Sequence, residues 1–136
     1  MTPETRDLIL ERDELLDAVY KTGVDGGEMA SLAICTLEAF DRIHPLPVKS
    51  LRNWAVVTSN NPYLAPELRT SRLAGDYYIG DKLQNELTTS SIQGMIGKYH
   101  VVTRTGSVYE LKDIDPEYEK LYPNAHQRLV QSAPKL

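Results

Sequence analysis

The chain has 136 residues, of which 41% are hydrophobic and 25% are charged, and its net charge is −4. These values are typical of one globular domain that can bury a stable core without disulfides or structural metals, so we expect a single domain over residues 1–136. A lone cysteine excludes an internal disulfide, and no apolar run approaches the ~20 residues of a membrane span, which favours a cytoplasmic protein with no membrane contact.

The first predicted element is an amphipathic helix. Thr2 can cap it, and Pro3 suits its first position. Its apolar residues recur at helical spacing, which predicts one buried face formed by Leu8, Leu15, Leu16 and Val19. The acids between them are expected to form a stripe that faces solvent, at Glu11, Asp13, Glu14 and Asp17.

A second helix is predicted to follow after a short glycine-rich turn, so that residues 1–43 form a helical hairpin. Gly23 would end the first helix, and Asp25 and Glu28 have the spacing of a capping box for the second, which would run to about Arg42. The apolar stripe of this helix is wide, so we expect it to be the more buried helix of the pair, with Cys35 as a buried thiol. The stripe comprises Met29, Ala30, Leu32, Ala33, Ile34, Cys35, Leu37 and Phe40.

The hydrophobic period changes to two in the middle of the chain, over residues 48–112. Alternation around Trp54 predicts a strand, with this side chain buried between the sheet and the hairpin. Glycine turns at Gly97 and Gly106 predict tight hairpins. We therefore expect a small antiparallel β-sheet or SH3-like barrel of about five strands, at 51–58, 73–79, 87–96, 99–104 and 107–111.

The last part of the chain, residues 113–131, is predicted to be helical. Asp115 can cap a helix with Pro116 at its first position, a short continuation follows over 124–131, and the tail from Ser132 is expected to fray. The complete pattern predicts the α+β class: an N-terminal α-helical hairpin, a small sheet or barrel, and a short C-terminal helix.

The search for chemical motifs identifies no catalytic residue, metal site or cofactor site. Cys35 could pair as a nucleophile with His44, His100 or His126, but it lies in mid-helix among apolar residues. The three histidines lack metal-ligand spacing. We therefore expect a protein without enzymatic activity, and a small enzyme with an unrecognised site is the second alternative.

The best candidate for recognition is the loop between the first two strands. Two prolines restrict this loop, and its apolar tip is flanked by polar residues, as in a protein interface. We predict that it binds together with three residues of the sheet. The candidate binding residues are Asn60, Asn61, Tyr63, Leu64, Glu67, Tyr77, Tyr99 and Arg104.

Charge is distributed unevenly along the chain, with −6 over residues 1–43 and +3 over residues 44–112. Basic residues and tyrosines in the sheet region suggest an alternative function as a nucleic-acid-binding regulator. The isoelectric point of 5.3 argues against it, because basic domains are the usual binders of polyanions.

The expected function is therefore a protein-binding module whose partner is another protein, acting as an inhibitor or adaptor. Small acidic single domains without an active site are common among proteins of phages and mobile elements, of which anti-CRISPR inhibitors are one example. The sequence leaves homo-oligomerisation open.

Overall fold

A computed structural model describes residues 1–25, 27–58, 63, 70–79 and 81–136. Within these ranges the chain forms four helices and five strands. In chain order they are α1 (Pro3–Asp25), α2 (Glu28–Ile43), β1 (Val48–Thr58), β2 (Ser71–Ile79), β3 (Lys82–Ile96), β4 (His100–Thr103), β5 (Val108–Leu111), α3 (Pro116–Leu121) and α4 (Ala125–Ser132).

The five strands form a closed barrel in the order β1-β2-β3-β4-β5. Each consecutive pair is antiparallel, whereas β1 and β5 close the barrel as a parallel pair, from Val48 opposite Val108 to Leu51 opposite Leu111. The parallel pair follows from the odd strand number, because direction alternates along the chain and the first and fifth strands then run the same way. The predicted α+β fold with a small barrel is confirmed, although the barrel is mixed and not purely antiparallel.

A bulge in β1 sets which side chains enter the barrel. Asn53 has a positive φ of 50° and lies where the register with β2 shifts between Arg52 and Ala55. The extra residue allows Leu51 and Trp54, three positions apart, both to be buried. A strict period of two would send one of them to solvent.

The core inside the barrel surrounds Trp54, whose indole Nε1 donates a hydrogen bond to the carbonyl of Lys112 at 3.1 Å. Its burial is confirmed, but its expected neighbours were wrong. The cluster around it contains barrel residues and Leu129 of α4 but, among the described residues, none from the hairpin, and the indole meets the His126 ring of α4 edge-on with ring centroids 5.9 Å apart. The cluster consists of Leu51, Trp54, Leu73, Met95, Val101, Tyr109, Leu111 and Leu129.

A second, smaller cluster joins α1 to the outer face of the barrel. Ile9 of α1 is fully buried against Ile96, Val102 and Val108. Both faces of β4 are therefore covered, and each of its four residues is buried. Among the described residues α2 packs mainly on α1, and α1 packs on the barrel, so barrel, α1 and α2 lie in successive layers.

The turn between the two helices differs from the predicted one. α1 continues past Gly23 to Asp25, and Gly27 occupies the N-cap of α2 with a φ of 82° and no side-chain cap hydrogen bond. The predicted capping box is therefore wrong, because Asp25 belongs to the preceding helix.

The prediction that α2 is the more buried helix is also wrong. Phe40 is its single fully buried side chain, and Cys35 is exposed. The physical reason is the layer order: α1 packs on both α2 and the barrel, whereas α2 packs mainly on α1.

The C-terminal helices form as predicted, with the Asp115 carboxylate accepting a hydrogen bond from the Glu117 N–H at 3.0 Å. The expected fraying of the tail is wrong. Met95 of β3 donates its N–H to the carbonyl of Pro134 at 2.8 Å and accepts the N–H of Leu136 at 2.9 Å. The tail thus satisfies backbone groups that the end of β3 would otherwise leave unpaired.

Candidate protein-binding surface

Helix α2 carries two apolar faces side by side. The inner face packs on α1 and includes Ala30, Ala33, Leu37 and Phe40, all buried or half-buried. A second line of residues follows spacings of three, four, three and four, which is the spacing of a helix–helix contact seam. We call this line the open seam; it consists of Met29, Leu32, Thr36, Ala39 and Ile43.

The large side chains of the open seam are exposed to solvent. The exposed fractions are 64% for Met29, 61% for Leu32 and 71% for Ile43. Single exposed apolar residues are ordinary on protein surfaces, but a contiguous line on one helix face is typical of an interaction site. Thr36 fits this line because its hydroxyl donates to the Leu32 carbonyl at 2.8 Å and needs no further partner.

Behind the open seam, α1 is fixed to the barrel by Asp13, which is only 3% exposed. One carboxylate oxygen accepts the N–H of Lys98 at 2.9 Å, and the other accepts the N–H of Tyr99 at 2.8 Å and contacts the His100 Nδ1 at 2.8 Å. The prediction that Asp13 faces solvent is therefore wrong. Its carboxylate caps the turn between β3 and β4, where Gly97 has a φ of 69° and leaves room for it.

A network of charges extends from this carboxylate into the interface. His100 contacts Asp13 through one ring nitrogen and Glu110 through the other, at 3.2 Å. The Glu110 carboxylate also pairs with Arg12 and Lys112, and Arg12 reaches Asp41 of α2 at 2.9 Å. The network thus ties barrel, α1 and α2 together.

The surroundings of the network shift two pKa values. Burial alone would lower the pKa of His100, but the hydrogen bonds to Asp13 and Glu110 outweigh it and raise the pKa above 6.5. Burial would raise the pKa of Glu110, yet His100, Lys112 and Arg12 together lower it from 4.5 to about 2. Both shifts favour the charged forms of these two side chains, because each lies within hydrogen-bonding distance of groups of opposite charge.

The arrangement around His100 resembles an acid–base pair, but its geometry suits a structural role. Its side chain is fully buried and the carboxylates occupy opposite ring nitrogens, so neither nitrogen faces a cavity in which a substrate could react. Because Asp13 and Glu110 lie on opposite sides of the His100 ring, the three side chains do not converge on one point where a metal ion could bind. Among the described residues, no cluster of three or more His, Cys, Asp or Glu could hold a metal ion.

A cavity lies elsewhere, where one end of the barrel meets α3 and α4. It measures about 470 Å³ and combines apolar residues such as Val56 and Ile92 with Tyr118 and Arg128. Burial raises the pKa of Tyr118. Such a mixed lining is typical of ligand clefts. Among the described residues, the buried side-chain atom that lacks a hydrogen-bond partner is Arg52 Nε, and Arg52 does not line this cavity.

The sequence-predicted binding residues do not share one described surface. Asn60, Asn61, Leu64 and Glu67 lie outside the described residues. Tyr63 is 94% exposed. These positions remain predictions.

The three sheet residues of that prediction occupy separate places. Tyr77 on β2 lies under the ammonium group of Lys49, at 5.7 Å. Tyr99 packs edge-on against Tyr20 and donates its hydroxyl hydrogen to Asp17 at 3.0 Å, and burial together with this carboxylate raises its pKa. Arg104 is exposed in the turn after β4, at the other end of that strand from Tyr99.

Two basic residues of the barrel lie over tyrosine rings. Arg52 stacks on the ring of Tyr78 at 4.7 Å, as Lys49 does on Tyr77 and on Tyr109. Side chains paired in this way would have to exchange these contacts in order to bind phosphates and bases. The nucleic-acid alternative stays a prediction.

The open seam was missed from the sequence although its signal was present. The apolar stripe of α2 is wider than a single helix contact requires, and such width is also typical of a more deeply buried helix. The same width equally indicates two contact faces, one of them left open.

No protein-family model, curated protein or solved structure is significantly similar to this chain. Within the described ranges, no helix is both long enough and apolar enough to cross a membrane.

Proposed function

We propose that this chain is a non-enzymatic protein-binding module, an inhibitor or adaptor, and that the open seam of α2 is its docking surface. The observation that carries the proposal is the exposure of Met29, Leu32 and Ile43 on one face of one helix. Because the seam has the spacing of a helix–helix contact, the partner segment it suits is an amphipathic α-helix.

Rigidity supports this function. The seam lies on a helix backed by α1, and α1 is held to the barrel by the buried carboxylate of Asp13 and the charges around His100. A preformed surface loses little conformational entropy when a partner binds, so more of the interaction energy appears as affinity. The exposed thiol of Cys35 beside the seam suits a reducing compartment such as the cytoplasm.

The test compares two exposed leucines. Leu32 lies on the open seam and is 61% exposed, whereas Leu83 lies on β3 and is 50% exposed. Leu32→Glu and Leu83→Glu introduce the same charge at similarly exposed positions, so neither is expected to unfold the chain.

The measurement is affinity capture from native lysate with the wild type and both variants, followed by identification of the retained proteins. We expect a partner that the wild type and Leu83→Glu retain and that Leu32→Glu loses, together with unchanged circular dichroism. Equal retention by all three proteins would contradict the placement of the docking surface on α2.

A further inference from the structure

We infer that the helical partner of the open seam is a second copy of this chain, and that the two α2 helices pack antiparallel about a two-fold axis close to Cys35. This inference rests on the proposed function, because it names the occupant of the same surface. It follows from the order of charges along one flank of the seam.

One flank of the open seam carries three residues at intervals of seven: Glu28, Cys35 and Arg42. Glu28 lies in the first turn of α2, Arg42 in the last turn, and Cys35 midway between them. Within the described part of the chain, neither charge has an ion-pair partner. The opposite flank is the face that packs on α1, so this flank is the one available to a second helix.

Charge order selects the antiparallel arrangement. In a parallel pair Glu28 would face Glu28 of the second copy, and Arg42 would face Arg42. In an antiparallel pair each Glu28 faces Arg42 of the second copy, and the two Cys35 side chains meet in the middle. The two-fold axis makes both ion pairs equivalent, as in an isologous interface.

The same register matches the sizes of the residues in the seam. Met29 lies opposite Ala39 of the second copy, and Leu32 lies opposite Thr36. Both of these layers place a large side chain against a small one, which is how packed helices interdigitate. Ile43 lies opposite a position before Glu28 and so falls beyond the start of the second α2. The Thr36 hydroxyl already donates within its own helix, so burying it leaves no unsatisfied donor.

The length of α2 limits the strength of the contact. Its 16 residues extend over about 24 Å, and a contact between two such helices falls below the ~1,200 Å² of standard stable interfaces. We therefore expect reversible association in the micromolar range or weaker, visible only when the concentration is varied.

Sedimentation equilibrium over roughly 1 µM to 1 mM tests the dimer directly. We expect the wild type and Leu83→Glu to change from monomer to dimer, and Leu32→Glu to remain monomeric. Glu28→Arg should weaken association about three- to tenfold, since it places like charges together twice. The double variant Glu28→Arg, Arg42→Glu restores opposite charges and should recover it.

Cross-linking supplies an independent measurement of the register. Packed helix axes lie about 8–10 Å apart, so a short bismaleimide can join the two Cys35 thiols. We expect at least about tenfold more cross-linked dimer than in a control carrying Cys35→Ser and Leu83→Cys, because association raises the local thiol concentration.

Two outcomes would overturn the inference: a wild type that stays monomeric over the whole range, or a dimer that Leu32→Glu or Glu28→Arg leaves unchanged. The proposed function fails separately. A monomeric chain that still captures another protein through Leu32 keeps the docking surface and loses only the self-association.

Discussion

The buried carboxylate of Asp13 leads to a specific prediction, that Asp13→Asn destabilises the protein by about 3–5 kcal/mol. The carboxylate accepts hydrogen bonds from two backbone N–H groups, of Lys98 and Tyr99, and contacts the imidazole of His100. Asparagine keeps one acceptor oxygen, so its amide group must face a donor. Each buried group left unsatisfied costs about 1–3 kcal/mol, and His100 loses a neutralising partner as well.

The assay is urea unfolding followed by circular dichroism, with the free energy extrapolated to water. Glu14→Gln is the matched control, because Glu14 is the next residue on α1 and is exposed. Its expected change lies within about 0.5 kcal/mol. An Asp13→Asn loss below about 1 kcal/mol, with an unchanged slope, would refute the role assigned to this carboxylate.

Three further predictions concern the contacts that hold α1 and the C-terminal tail to the barrel. The pKa of His100 is raised in the folded state, so its contribution to stability is present below pH 6.5 and is lost as the pH rises through that folded-state pKa. The pKa of Glu110 is lowered to about 2, so its contribution to stability is present above pH 4.5 and is lost as the pH falls through about 2. Urea midpoints measured against pH should therefore decline on the alkaline side, and His100→Gln should abolish that decline. Gly97→Ala should cost about 1–3 kcal/mol in urea melts, because its φ is 69° and a Cβ would overlap the carboxylate that caps this turn. Removing residues 134–136 should lower the melting temperature measurably, since Met95 then loses two backbone hydrogen bonds; an unchanged melt would mean that the tail contributes nothing.

Much of the barrel was predictable because its signals are local. The positive-φ turns at Gly97 and Gly106 come where glycine separates β-branched runs, and α3 starts at Asp115 and Pro116 as capping chemistry requires. The parallel closure of the barrel could have been deduced by counting strands. The β1 bulge at Asn53 has no comparable local signal.

The interface between α1 and the barrel could not be predicted, because its partners are distant in sequence. Asp13 lies among Glu11, Glu14 and Asp17, which look equivalent by composition, and it is buried because a turn 85 residues later presents two N–H groups to it. Helical periodicity indicates which residues share a face. It does not indicate which element covers that face, so Cys35 was predicted to be buried and is exposed.

The candidate binding surfaces also differ in how far the sequence could predict them. Two prolines favour the loop around Tyr63 as a binding site, and most of that loop lies outside the described residues. The sequence predicts burial for the apolar residues of the open seam, because the spacing of apolar residues on a helix is the same whether they contact the protein's own barrel or a partner. Only the position of α1 between α2 and the barrel separates the two cases.

The parallel pair that closes the barrel also orders the events of folding. Val48 and Val108 lie sixty residues apart in the chain, so β1 must wait for β5 before the barrel can close. Contacts of such long range carry a large loop-closure entropy and form late. The residues that hold α1, at the start of β4 and on β5, become available only then. We therefore expect the N-terminal hairpin to dock on the barrel last, and pulse-labelling hydrogen exchange should show α1 gaining stable protection together with β5, not before it.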